Sequence, residues 1–186
     1  MAGCSVCPWW IGYFLVNPLR RFIHDPATIL SPYIKEGMTV LEPGPGMGFF
    51  TLEMANRVGV SGRVIAIDIQ AQMLERLKLR ALKANVLGRI DARLALPDSL
   101  GLAGLEETVD FVFAFAVVHE LPNIHSFFSE VSKTLKTGAC LLLAEPVGHV
   151  SAEAFEAQLT VAYQTGMCVV DRPAIRRSRT AVLKKV

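Results

Sequence analysis

An acid followed by three glycines at every second position is the feature of this sequence best placed to do chemistry: Val40-Leu41-Glu42-Pro43-Gly44-Pro45-Gly46-Met47-Gly48-Phe49-Phe50. An apolar run enters the turn and a helical pattern leaves it, the junction at which open α/β sheets bind their ligands. Glycines let the backbone approach a ligand closely, and the first N–H groups of the helix face outward. Asp68 ends the next apolar run and can accept both hydroxyls of a ribose. Two nucleotide readings fit poorly. A phosphate loop needs Gly-Lys-Ser/Thr where Gly48-Phe49-Phe50 stands, and a dinucleotide fingerprint needs a third glycine where Phe49 stands. A pyrophosphate also avoids a carboxylate such as Glu42.

The elements that must hold these residues follow from the hydrophobic pattern. Asp25 can cap a helix that Pro26 opens, with Ile29, Leu30, Tyr33 and Ile34 inward and Gly37 as its stop. Strands are expected at 39–42, 63–68, 88–94, 109–116 and 139–145. Between them lie helices through about Arg57, around Met73–Ala84, and from Ile124 to a stop at Gly138. A helix at 151–165 and two short strands at 168–170 and 180–183 complete the chain, the strands pairing as an antiparallel hairpin. Strands apolar on both faces, alternating with helices, mean a parallel sheet with right-handed crossovers. The expected fold is α/β: one Rossmann-like domain with a seven-stranded, mostly parallel sheet, helices on both faces and the last strand antiparallel. Residues 1–37 form a helical, aromatic extension or lid, and residues 38–186 the cofactor-binding domain.

Composition narrows the class. Hydrophobic residues make up 52% of the chain and charged ones 19%, with a mean hydropathy of +0.38, which excludes disorder. The longest apolar runs, Pro8–Val16 and Phe111–Val118, fall short of the ~20 residues that span a bilayer, so no transmembrane segment is expected. Pro8–Val16 also lacks the basic flank of a signal peptide. A net charge of +2 and a pI near 8.4 are too mild to imply nucleic acid. Of four cysteines, only Cys4 and Cys7 are paired in sequence, and nothing nearby completes a metal site. No metal is expected, and a reduced cytoplasmic setting fits.

Beyond the turn, the sequence resembles the class I S-adenosylmethionine-dependent methyltransferases. Glu42-x-Gly44-x-Gly46-x-Gly48 is similar to the family's first motif, and Val64-Ile65-Ala66-Ile67-Asp68 to its second. Val109–Ala116 is similar to its fourth strand. Leu135-Lys136-Thr137-Gly138-Ala139 resembles the entry to the fifth, with Thr137 in place of a common proline. The final 166–170 and 179–185 segments resemble its closing hairpin. The likeness implies S-adenosylmethionine as cofactor, its methionine ammonium received by Glu42 and its ribose by Asp68. It adds Ile69 and Phe115 to Gly44, Gly46 and Gly48 as cofactor contacts. For the adenine amino group it offers Asp98, with Asp91 as the other candidate.

Methyl transfer needs a base only when the acceptor must lose a proton. His119-Glu120, just past the fourth strand, supplies a candidate: His119 to deprotonate a hydroxyl or thiol, Glu120 to orient it or bind a cation. Glu145 and His149 lie beyond the fifth strand as second-line contacts, while His125 and His24 rank lower. Phe49 and Phe115 can line a sulfonium pocket by cation–π attraction. The chain lacks the Asn/Asp-Pro-Pro-Tyr/Phe pattern of nucleic-acid amino-methyltransferases, so the expected partner is a small-molecule methyl acceptor. Trp9, Trp10, Tyr13 and Phe14 can wall an apolar or planar acceptor, pack on the body, form a homodimer interface or touch a membrane with Arg20 and Arg21. A nicotinamide-linked oxidoreductase and a non-catalytic cofactor-binding protein stand as the alternatives.

Overall fold

The computed structural model describes residues 18–96 and 99–186. Cys4, Cys7, the aromatic Trp9–Val16 stretch and Asp98 lie outside the described residues. The chain divides into two compact units, one running through Ala95 and the other beginning at Leu96.

In the first unit, strands β1 (Thr39–Pro43), β2 (Arg63–Asp68) and β3 (Ile90–Leu94) lie in the order β3-β2-β1. All pair in parallel, with Leu41 opposite Ile65 and Ala66 opposite Ala92. Parallel neighbours need a crossover, supplied by helices α2 (Thr51–Val58) and α3 (Ala71–Lys83). Met54, Ala55 and Val58 on α2, and Met73, Leu74, Leu77 and Ala81 on α3, are buried at the helical spacing the sequence shows. Helix α1 (Pro26–Leu30) is capped by Asp25, which accepts the Thr28 N–H at 3.1 Å. It stops short of the expected Gly37. Pro32 has no N–H to offer Thr28, so the ladder breaks there, although Ile34 N–H still reaches the Leu30 carbonyl.

The second unit orders its strands β4-β5-β7-β6, comprising β4 (Val109–Phe115), β5 (Leu135–Pro146), β6 (Met167–Asp171) and β7 (Ser178–Lys185). β5 runs parallel to β4, with α4 (Ile124–Thr134) as crossover, and β7 runs antiparallel to both β5 and β6. Helix α5 (Ala152–Gln164) starts at Ser151, whose hydroxyl accepts the Ala154 N–H. One boundary departs from expectation. Helix α4 ends at Thr134 and β5 begins at once, so Gly138 lies in the strand. The register explains its role: Val109 faces Leu135 and Phe111 faces Cys140, a two-residue step matched by five. The extra residues form a bulge, in which Gly138 takes a φ of +81°.

Seven strands, mostly parallel with the last antiparallel, make this the Rossmann-like α/β class that the periodicity indicates. Much of the oily composition is accounted for: Val112–Ala114 and Leu141–Ala144 have no exposed surface. Among the described residues, no helix is long and apolar enough to cross a membrane.

Candidate active site

The glycine-rich turn leaves β1 and is stitched to its neighbour: Gly44 N–H donates to the Ile67 carbonyl at 2.9 Å, and Gly48 N–H to the Pro45 carbonyl at 2.9 Å. Two of its glycines do different work. Gly46 holds a φ of +53°, and a Cβ there would meet nothing within 4 Å, so its backbone borders open space. Gly48, at φ +82°, would press a Cβ to 3.1 Å from Leu77, so its bareness seats the turn on α3. Arg80, also on α3, donates to the Met47 carbonyl and pins the turn from the other side.

Asp68 ends β2 with a carboxylate fixed by two backbone donors, Gly46 N–H at 3.2 Å and Gln70 N–H at 2.9 Å. It therefore ties the second strand's end to the turn's centre. A carboxylate held this way keeps its plane while accepting further hydrogen bonds, as a ribose diol requires. Ile69 follows it and is half exposed. Asp91 is occupied within its own strand by Arg93, at 2.6 and 2.9 Å.

Glu42 is buried, and Thr51, the first residue of α2, donates its hydroxyl to it at 2.5 Å. Burial pushes the Glu42 carboxyl up to about 8, with Asp68 adding repulsion, while the Thr51 bond and the nearby Arg20 charge work against the rise. Such a site gains by receiving a cation. Thr51 and Arg20 were not legible as site residues, since a threonine opening a helix and an arginine in an apolar N-terminal segment carry no motif. Arg20 lies in the 3-10 turn Pro18–Phe22, its guanidinium 4.5 Å from the Phe49 ring centre and 5.4 Å from that of Phe50. Phe49 thus stacks on a cation of the protein itself.

The elevated Glu42 has a consequence for stability. The native state holds a proton on Glu42 that the unfolded chain releases near 4.5, so stability falls as pH rises from about 4.5 to about 8. Glu42→Gln mimics the neutral acid and keeps an acceptor for Thr51. We expect it to stabilise the cofactor-free protein at pH 8 relative to pH 5.5, by on the order of 1–3 kcal/mol. Thermal unfolding of both proteins at the two pH values checks this; an offset independent of pH would contradict it.

In the second unit, the 3-10 turn Val118–Glu120 follows β4. His119 Nδ1 is bonded to Glu145 Oε2, and Glu145 Oε1 accepts the Val118 N–H at 2.8 Å. Glu145 has no exposed surface, whereas His119 is partly exposed. The bond to Glu145 raises the His119 pKa above its usual 6.5. Burial opposes this, and the charges of Glu145 and Glu120 add to it. The orienting group at Nδ1 is therefore Glu145, while Glu120 acts on the ring through its charge. The exposed His149 ring lies 5.5 Å from that of His119. Phe115 closes β4 against Phe113, their ring centres 5.8 Å apart.

These residues fit S-adenosylmethionine: a bare backbone bordering open space at Gly46, a carboxylate at Asp68 fixed by two backbone donors, and a buried acid at Glu42. Residues 34–177 match a family model described as a methyltransferase domain. The chain is 28% identical over 112 residues to the ubiquinone/menaquinone biosynthesis C-methyltransferase UbiE of Hydrogenovibrio crunogenus, covering 60% of this chain and 43% of that protein. It is 29% identical over 137 residues to the ubiquinone biosynthesis O-methyltransferase of Brucella ovis, covering 74% and 51%. It thus spans about half the length of these curated relatives. A solved SAM-dependent methyltransferase from Aquifex aeolicus shares the fold with a TM-score of 0.84 at 25% identity, over 96% of this chain and 98% of that one. With the family model covering most of the sequence and the acid-led glycine turn in place, the chain belongs to the class I S-adenosylmethionine-dependent methyltransferases.

Proposed function

We propose that the protein transfers a methyl group from S-adenosylmethionine to a small-molecule acceptor that carries an acidic proton, such as a phenol or thiol. The observation that carries the acceptor reading is the His119–Glu145 pair. A buried carboxylate bonded to Nδ1 orients the ring and strengthens it as a base. The bound cofactor would supply an electrophilic methyl carbon on a sulfonium. The chain's own residues do the rest: the glycine turn, Glu42 and Asp68 hold the cofactor, and His119 takes the acceptor proton. Ile69 and Phe115 complete the cofactor surface in this reading, and Asp98 is the adenine ligand.

Both curated relatives described above are named for ubiquinone or menaquinone biosynthesis, which supports a planar, apolar acceptor here. In this reading residues 1–37 are an N-terminal extension or lid, and the protein works in the cytoplasm without engaging nucleic acid. Incubation with methyl-labelled S-adenosylmethionine and a panel of phenols, hydroquinones, thiols and amines is the test. Label should enter phenols, hydroquinones or thiols; label entering amines alone would overturn the proton-bearing acceptor.

A further inference from the structure

We propose that the 3-10 turn Pro18–Phe22 docks the protein on an anionic phospholipid bilayer, Leu19 and Phe22 entering the headgroup boundary and Arg21 meeting lipid phosphates. The inference stands apart from the methyl-transfer reading and does not depend on it. In a 3-10 helix, residues three apart stand one above the other, so Leu19 and Phe22 share one side of the turn. Both are exposed, Leu19 by 66% and Phe22 by 82%. Of the nine phenylalanines among the described residues, only Phe22 is exposed. Arg20, on another side of the turn, lies over the Phe49 and Phe50 rings at 4.5 and 5.4 Å. Its carbonyl accepts the N–H groups of Ile23 and His24 at 3.0 and 2.8 Å, which closes the turn. The apolar ridge is therefore anchored from behind.

The charge around the ridge fits such a surface. The net +2 is divided unevenly: residues 18–95 hold eleven Lys and Arg against seven Asp and Glu, and residues 96–186 hold eight against ten. Arg21 is exposed beside the ridge. Burial lowers the pKa of Arg80 on α3 and the Arg21 charge lowers it further, so the two guanidinium groups are neighbours. Arg76 and Lys83, both exposed, share that flank of α3, four residues before Arg80 and three after it. Asp25 offsets part of this charge, its carboxyl held low by the Thr28 bond first and by Arg21 as well. Residues 1–17, directly before the turn in sequence, hold no Asp, Glu, Lys or Arg and include Trp9, Trp10, Tyr13 and Phe14. An aromatic, apolar stretch that ends in basic residues is the composition of segments that lie in a membrane interface. A second copy meeting this ridge across a two-fold axis would set Arg21 and its basic neighbours against their own kind. Lipid phosphates meet them with the opposite charge.

The test is flotation of the full chain with vesicles of phosphatidylcholine alone and of phosphatidylcholine with about a third phosphatidylglycerol. The variants are Phe22→Ser and Arg21→Glu, both at exposed positions, with thermal unfolding to confirm that each is folded. The unaltered protein should float with the anionic vesicles and not with the neutral ones, and salt at about 1 M should release most of it. Phe22→Ser should weaken the partition about 5- to 20-fold and Arg21→Glu about 10- to 30-fold. Absence of flotation with anionic vesicles, or unchanged flotation of either variant, would overturn the assignment. Equal flotation with both vesicle types would overturn it as well. Sedimentation velocity tests the second copy as occupant: a dimer that Phe22→Ser dissolves would make the ridge a self-contact and overturn membrane docking.

Discussion

Asp68→Ala should weaken S-adenosylhomocysteine binding by about 100-fold or more. Two ribose hydroxyls donating to one carboxylate are charge-assisted bonds of roughly 1.5–3 kcal/mol each. The substitution has a second effect on the protein alone. Gly46 N–H and Gln70 N–H lose their shared acceptor, so the turn's centre is no longer tied to the end of β2. Asp68→Asn separates the two contributions. It keeps an oxygen for one N–H while replacing the other with a donor, and its expected loss is intermediate, about 10-fold. Calorimetric titration gives the affinities, and thermal unfolding shows that each variant is folded. Wild-type affinity in a folded Asp68→Ala protein would remove Asp68 from the ribose site.

His119→Ala should lower turnover by about 100- to 10,000-fold, the usual worth of a positioned general base, and leave S-adenosylhomocysteine affinity within about twofold. Since His119 acts only when unprotonated, kcat/KM of the parent should climb with pH through a midpoint above 6.5. Glu145→Gln removes the charge that raises that midpoint while retaining an oxygen toward the ring. Its acidic limb should therefore move to lower pH, with a reduced plateau from the weaker base. A residue that merely packs β5 would change the plateau and leave the midpoint in place. Full turnover in His119→Ala would reduce the histidine to a structural group.

The fold was legible where a physical constraint leaves a period in the sequence. The stretches 64–67 of β2, 111–114 of β4 and 141–144 of β5 are buried on both faces and so read as unbroken apolar runs, and α2 and α3 bury one side at every third or fourth residue. Boundaries were less legible. Gly138 looks like a helix stop, because a bulge in β5 and a helix C-terminus require the same left-handed glycine. Pro32 ends α1 early by removing a donor, a local effect that the wider apolar spacing conceals.

The site divides in the same way. Glu42, Gly46, Gly48 and Asp68 announce themselves because a tight turn seated on a helix and acids at strand ends force residue types onto short spacings. Partners brought from a distance do not. Glu145 meets His119 across 26 positions, and Arg80 meets Met47 across 33. Pairings of that kind depend on strand register and helix rotation, so adjacency in sequence pointed to Glu120 when topology selects Glu145.

Calorimetric titration of the unaltered protein with S-adenosylhomocysteine, and in parallel with NAD, tests the central claim most directly. The acid-led glycine turn and the Asp68 diol acceptor predict saturable one-to-one binding of S-adenosylhomocysteine and no heat from NAD beyond dilution. Binding of NAD with none of S-adenosylhomocysteine would contradict it.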